Sequence, residues 1–316
     1  MQNDIGESRA HESGLAGSNA QRRPILVTGS HRSGTTWAGR ILSKAPRARL
    51  VHEPFNLKMV SPARSFDPEV WYRYIHDGNA DQYRDAIRRT LETQHYHHDL
   101  SRGVPSLRRT IRAKLAFAIR GNRDRVIYKD PLAFFSAPWL SREFGMIPVV
   151  MIRHPAAFVS SIILKDWRFD FANFTRQPAL LDGPLAPWRD RIEAAARTEP
   201  ALDEHAILLW NCIYGTALRY REAHPSWIFR THEEMSLDHV AEFARLFKEL
   251  GLEFGRDQRS ALDEMSGAHN PAEQGKNQFF RNSRETINTW KTRLSAPQID
   301  AVLKGTEDVR LKFYPE

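Results

Sequence analysis

The chain has 316 residues, 41% of them hydrophobic and 27% charged, the proportions of an ordinary globular protein. No apolar run approaches the length that spans a bilayer, which disfavours a membrane-spanning enzyme, and a single cysteine, Cys212, excludes an internal disulfide. The formal charge of +8 raises nucleic-acid binding first, but a cleft for a multiply phosphorylated ligand or an acidic acceptor calls for the same surplus.

Residues 1–22 are polar, contain Gly and Ser, and lack an apolar signal core. They read as a disordered lead-in to a single domain over 23–316, with a cytoplasmic location expected. Ile25, Leu26 and Val27 then predict a strand. A turn bearing Gly29 and Gly34 follows, and Trp37, Ile41 and Leu42 have helical spacing. Strand, tight loop and helix in that order aim backbone N–H groups and a positive helix end at one point, which suits a phosphate or sulfate. The two glycines have the spacing of a Walker A loop. However, Thr35 stands where the lysine of that loop belongs, and the cation, Arg32, comes two residues before the second glycine.

Residues 49–51 predict a second strand that delivers His52, Glu53, Pro54, Phe55 and Asn56 to its end. From 69 to 96 the spacing predicts helix in two pieces, parted at Gly78 and Asn79. His95, His97, His98 and Asp99 invite a metal reading, but no second cluster of Cys or His accompanies them, and a solvated loop or acceptor-facing lid is the better reading. Residues 107–119 form an amphipathic helix candidate whose Arg108, Arg109, Arg112 and Lys114 lie off the apolar stripe, as on a solvated face or, less favoured, a contact for an anionic acceptor or membrane surface. Residues 125–128 predict a third strand, presenting Lys129, Asp130 and Pro131; a helix over 138–144 leads to the most apolar strand, 147–152. A Walker B strand would run into an aspartate, but this one runs into Arg153. Pro155 then opens a helix through Phe158, Ser161 and Leu164.

Further on, residues 165–171 read equally as an acceptor-site loop or a surface segment with its aromatics tucked in, and 181–188 as a loop. A helix over 203–221, a fifth strand at 227–229, a helix over 237–250, a polar loop over 266–278 and a last helix from 297 to 303 complete the chain. Strands alternating with helices predict an α/β fold: a central parallel β-sheet flanked by helices, of P-loop architecture. Ligands gather at the C-terminal strand ends of such sheets, where Arg32, Glu53, Lys129 and Arg153 stand.

The loop His31-Arg32-Ser33-Gly34-Thr35-Thr36-Trp37 resembles the 5′-phosphosulfate loop of the sulfotransferase family, whose cytosolic members read P-K-S-G-T-T-W. Arg153 with Ser161 eight residues later resembles that family's 3′-phosphate motif. The resemblance implies 3′-phosphoadenosine 5′-phosphosulfate as donor, no metal, and a hydroxyl or amine acceptor, of which the hydroxyl is expected. Glu53-Pro54 resembles a segment of the carbohydrate-type members, which implies a carbohydrate or glycolipid acceptor, while the aromatic-rich middle of the chain also suits a phenol or lipid. It further implies that Arg32 meets the leaving phosphate with the N–H groups of Ser33 to Thr36, that Trp37 faces adenine, and that Glu53 is the base with His52 as runner-up. Lys129 steadies the sulfuryl oxygens on this reading; its bland alternative is a salt bridge to Asp130. His232 replaces the family's adenine-facing tyrosine and is a weak candidate. Arg281 or Arg284 would close over the 3′-phosphate; the family's Arg-Lys-Gly is missing there, and spacing does not choose between the two. No nucleic-acid partner is expected, and contact with a membrane surface follows only for a lipid acceptor. The alternatives are a P-loop kinase using Mg·ATP and a non-catalytic nucleotide- or nucleic-acid-binding module.

Overall fold

A computed structural model describes residues 23–58, 67–92, 124–266 and 287–315. Five strands form one sheet: β1 (Ile25–Gly29), β2 (Ala48–His52), β3 (Arg125–Lys129), β4 (Ile147–Ile152) and β5 (Ile228–Thr231). All pair in parallel, in the order β2-β3-β1-β4-β5, so the predicted parallel α/β architecture is the observed one. The chain leaves β1 for the edge strand β2, returns to β3, and only then crosses to β4. That reversal opens a crevice at the C-terminal end of β1, where the loop of Arg32 begins.

Helices cover both faces: α1 (Thr35–Leu42), α2 (Asp81–Glu92), α3 (Ala137–Phe144), α4 (Pro155–Leu164), α5 (Ala172–Thr175), α6 (Pro178–Asp182) and α7 (Arg189–Thr198). After these come α8 (Leu202–Ala223), α9 (His232–Leu237), α10 (His239–Glu249), α11 (Arg256–Ser266), α12 (Trp290–Arg293), α13 (Ala296–Gly305) and α14 (Glu307–Phe313). Alternate strand residues separate the core into two halves, as the two-residue period of a strand requires. Ile25, Val27, Ile127, Val149 and Met151 pack with Ile41, Leu42, Phe243 and Phe247 on one face. Leu26, Tyr128, Val150 and Ile152 pack with Phe158, Trp210 and Tyr214 on the other. Every residue of β1 is buried, which is why it reads as an unbroken apolar run.

The structure departs from the sequence reading in several places. Residues 69–80 are not helical. Glu69 and Tyr72 have φ of +60° and +57°, and the backbone N–H groups of Trp71, Tyr74 and Ile75 donate to the side chains of Asn173, Gln177 and Ser136. Partners far along the chain replace helical bonds there. Where a loop was expected at 181–188, α6 reaches Asp182 and a turn of 3₁₀-helix spans Ala186–Trp188, each with proline in its first turn. The helix expected over 237–250 begins anew at Asp238, whose Oδ1 accepts the N–H of Ala241 at 3.2 Å and caps α10. Residues 1–22, the His95–Asp99 tract, the 107–119 helix and most of the 266–278 loop lie outside the described residues, as do Arg281 and Arg284. Among the described residues no helix is long and apolar enough to cross a membrane, and no group of three or more His, Cys, Asp or Glu could hold a metal ion.

Candidate functional site

The loop after β1 is fixed by contacts beneath it. Gly29 has φ +140°, and a Cβ there would overlap the Met151 carbonyl of the neighbouring strand, so the close approach needs glycine. The Ser33 hydroxyl and N–H both return to the Ser30 carbonyl, at 2.6 and 3.3 Å. The Ser30 hydroxyl is paired with the Tyr214 hydroxyl at 2.7 Å, which anchors the loop to α8. Gly34, at φ +91°, begins α1 without a side-chain cap. The first N–H groups of α1 are therefore not taken by a cap, and they form an anion-binding helix end. Thr35 is buried and Thr36 half-buried at this end.

Two motifs more than a hundred residues apart meet over that loop. Arg32, held at φ +67°, donates from Nε to the Ser161 hydroxyl at 2.9 Å. Arg153 donates from Nη1 to the Arg32 carbonyl at 2.6 Å. The end of β4 is braced in turn: Trp210 Nε1 donates to the Arg153 carbonyl at 2.9 Å, and the His154 N–H to Glu233 at 3.1 Å. Tyr314 donates to the other Glu233 oxygen at 2.6 Å. Two guanidinium groups and a hydroxyl are thus gathered beside an open helix N-terminus, a suitable set for two anionic groups of one ligand.

Glu53 ends β2 with φ +50°, a strained value for a residue with a Cβ. Its N–H donates to the Lys129 carbonyl at 2.8 Å, and its carboxylate pairs with the Lys129 ammonium. The second carboxylate oxygen accepts the Asn56 amide at 2.6 Å, and His52 stands 3.9 Å away. Burial works to raise the Glu53 pKa. Lys129, His52 and the hydrogen bonds from Lys129 and Asn56 overcome that and hold it below the usual carboxylate range. Asp130 does not take the Lys129 ion pair: its two oxygens accept the N–H groups of Phe55 at 2.6 Å and Leu132 at 2.9 Å. Burial, then Glu53, push Asp130 up to about 8 against the pull of those N–H groups and of Lys129.

His31, Arg32, Glu53, Asn56 and Ser161 line a cavity of about 290 Å³ that is walled by Trp71, Leu132, Lys165 and Trp167. The two indoles lie 6.1 Å apart between centroids. His31 Nδ1 is 2.9 Å from the Tyr72 hydroxyl and its ring lies 3.9 Å from that of Trp167. Burial and the Arg32 charge lower His31 to about 3, so it is neutral at physiological pH. The profile of the sulfotransferase family matches residues 24–211, well over half of the chain, from β1 through the Arg32, Glu53, Lys129 and Arg153 clusters.

The chain belongs to the sulfotransferase family.

A search of curated protein sequences gave no significant match. Among solved structures, the sulfotransferase domain of the Synechococcus PCC 7002 olefin synthase is similar at 13% identity over 93% of this chain and 95% of that one, with a TM-score of 0.46. Mouse sulfotransferase SULT7A1 complexed with PAP is 12% identical over 93% of this chain and 86% of that one, TM-score 0.48. Sulfotransferase STF9 from Mycobacterium avium is 12% identical over 97% and 81%, TM-score 0.44. Likenesses of this size bring no residue roles to this sulfotransferase.

Of the residues singled out from the sequence, His31, Arg32, Glu53 and Ser161 line one cavity, with Lys129 and Arg153 bonded to its members. Trp37 is half-buried on α1, with its ring edge-on to Phe243 at 4.9 Å and to His232 at 5.8 Å. His232 packs against Gly34, where a Cβ would lie 2.6 Å from its Nδ1. Burial and Arg153 lower His232 to about 3, so it too is neutral. Sequence reading gave no role to Tyr72, Tyr214, Asn56 or Trp71. Tyr214 lay on the apolar face of a predicted helix, and only its hydroxyl distinguished it from its core neighbours.

Proposed function

We propose that this sulfotransferase moves a sulfuryl group from 3′-phosphoadenosine 5′-phosphosulfate to a hydroxyl of a carbohydrate or glycolipid acceptor. The observation that carries the reading is the Arg32–Ser161 bond on one wall of the cavity, with the Glu53–Lys129 pair on another. Cations on one wall suit a transferring anionic group, and a buried carboxylate on another suits the proton that the acceptor must lose.

In the proposed reaction the acceptor oxygen forms a bond to sulfur as the bond from sulfur to the 5′-phosphate oxygen breaks. The acceptor proton passes to Glu53, and the products are a sulfate ester and adenosine 3′,5′-bisphosphate. Arg32 and the N–H groups from Ser33 to Thr36 meet the charge that grows on the leaving phosphate, and Lys129 steadies the sulfuryl oxygens. An incoming sulfuryl group competes with Glu53 for Lys129, and what Lys129 gives up, Glu53 regains as basicity. His52, at 3.9 Å from Glu53, is the second candidate base. Arg153 and Ser161 hold the 3′-phosphate, with Arg281 or Arg284 closing over it, and Trp37 offers its face to adenine. Trp71 and Trp167 present flat surfaces to a sugar ring whose hydroxyls reach Asn56 and Glu53. Residues 23–316 act as one domain in this reading.

The test is twofold. Calorimetry with adenosine 3′,5′-bisphosphate is expected to show micromolar or tighter binding without added metal, and radiolabelled donor offered with a panel of sugars, glycolipids and phenols is expected to label the first two. A protein that ignores the bisphosphate and turns over Mg·ATP would be a kinase, and the proposal would fail.

A further inference from the structure

One charge at the cavity has no part in the chemistry above. Lys165 lines the cavity at the C-terminal cap of α4, one helical turn beyond Ser161, and it is exposed. It makes no ion pair among the described residues. Lys58, also exposed, holds its ammonium 5.7 Å above the ring of Trp71, an indole of the lining. Among the described residues the only carboxylate in the lining is Glu53, and Lys129 already neutralises it. Arg32 is directed to Ser161. Among the described residues lining the cavity, Lys165 is therefore an ammonium with no carboxylate to balance it, and Lys58 adds a second positive charge over the Trp71 ring. A cavity of about 290 Å³ is roughly 8 Å across if spherical, about the width of one sugar or aryl ring.

We propose that the acceptor is itself an anion: it carries a carboxylate or phosphate about one ring away from the hydroxyl that receives the sulfuryl group, and Lys165, with Lys58, recognises that charge. This rests on the sulfotransferase reading of the same cavity and names the acceptor's class within it. The acceptor enters with its charged end toward Lys165, its ring against the adjoining indoles of Trp71 and Trp167, and its hydroxyl toward Glu53. Two other roles compete for Lys165. A cation at the end of α4 suits the negative helix terminus and needs no ligand. A place near Ser161 also suits the donor's 3′-phosphate.

The probe is a pair of glycosides differing only at C6, p-nitrophenyl β-glucuronide and p-nitrophenyl β-glucoside. The 6-phosphate of the glucoside is a third arm that separates carboxylate from phosphate. Binding in the presence of adenosine 3′,5′-bisphosphate is read from tryptophan fluorescence, and transfer from radiolabelled donor. The wild-type protein is expected to favour one of the anionic glycosides over the glucoside by about 3- to 10-fold, less at high salt. Lys165→Met should abolish that preference with bisphosphate affinity held within twofold, and Lys165→Glu should invert it. Equal use of all three, failure to bind any of them, or a preference that survives Lys165→Met would overturn the proposal. Loss of bisphosphate affinity in Lys165→Met would assign the lysine to the donor and overturn it as well. Should the wild-type protein not bind the bisphosphate, the underlying sulfotransferase chemistry fails first, and the two failures are told apart.

Discussion

Replacing Lys129 with Met isolates the buried ion pair on which the site is built. Lys129 is only 1% exposed and Glu53 17%, so solvent screens the pair little. Opposite charges about 4 Å apart at an effective dielectric of 20 attract by about 4 kcal/mol, and removing one partner of a buried pair costs about 3–5 kcal/mol. For a chain of this length that is a fall of about 5–8 °C in the thermal midpoint. The pH dependence gives the sharper test. In the wild type Glu53 is held below its usual value, so its contribution is complete above about pH 4.3 and is lost as pH falls through the folded value. Without Lys129 the burial effect is opposed only by His52 and the Asn56 hydrogen bond, and the Glu53 value rises. Asp130, already pushed up to about 8, loses an opposing cation and moves the same way. Both carboxyls of the variant then take up protons as pH falls, which relieves it. The destabilisation should be largest near pH 8 and shrink toward pH 5, as measured by thermal melts across that range. The double variant Lys129→Met/Glu53→Gln should recover at least half of the loss, since no bare carboxylate is left at position 53. A midpoint within 2 °C of wild type, an equal loss at pH 5 and pH 8, or no recovery in the double variant would refute the reasoning.

Glu53→Gln should lower turnover by about 100-fold or more while bisphosphate affinity, read by calorimetry, changes by less than about threefold. Near-normal turnover would remove Glu53 from the role of base and favour His52. Arg153→Ala should weaken bisphosphate binding by about 10- to 100-fold, the range for losing charge-assisted hydrogen bonds to a phosphate, and unchanged affinity would end its assignment. Gly34→Ala introduces a Cβ at φ +91° and 2.6 Å from His232 Nδ1, so it should both destabilise the protein by about 1–3 kcal/mol and weaken bisphosphate binding. Adding His232→Ala should relieve the contact but not the backbone strain, and restore only part of each; denaturant titration separates the two.

The parts of this molecule legible in its sequence are those whose physics is local. An apolar run ending in glycine, a cation, a second glycine and Thr-Thr places strand, loop and helix within 18 residues, and β1, its loop and α1 lie where that reading puts them. The strand ends carrying Glu53, Lys129 and Arg153 were equally visible, since each closes a short β-branched or apolar segment. What stayed hidden depends on partners remote in the chain. The spacing of Trp71 and Ile75 suggested helix, yet Asn173, Gln177 and Ser136 take up that backbone's N–H groups from 61 to 103 residues away. The loop's support from Tyr214 spans 184 residues, and no local pattern announces it. Residues 181–188 were read as a loop, whereas Pro187 stands in the first turn of a short 3₁₀-helix, where proline is well tolerated. The choice of Glu53 over Asp130 as the partner of Lys129 turned on backbone geometry alone. The left-handed turn at Glu53 brings its carboxylate onto the ammonium, while the N–H groups of Phe55 and Leu132 claim the aspartate.

Net charge needs the same attention to place. The surplus of +8 suggested a polyanionic partner for the whole chain, but residues 93–123 alone contain seven Arg and Lys against one Asp, which leaves the rest of the chain at +2. The described residues flanking that segment approach the sheet from the end opposite the site. The Leu91 carbonyl accepts a bond from Arg49 near the start of β2, and Arg125 is the first residue of β3. Arg32, Glu53, Lys129 and Arg153 stand at the other end, where β1 to β4 terminate. Most of the surplus thus belongs to that segment, and the cations of the described site are few. The site's cations would be placed as they are in a chain of zero net charge, because each is set by a strand end, a left-handed turn or a bond to a neighbouring carbonyl rather than by the sum of the charges. A dependence of bisphosphate affinity on ionic strength should accordingly follow the few cations at the strand ends, and it should survive neutralising the basic segment.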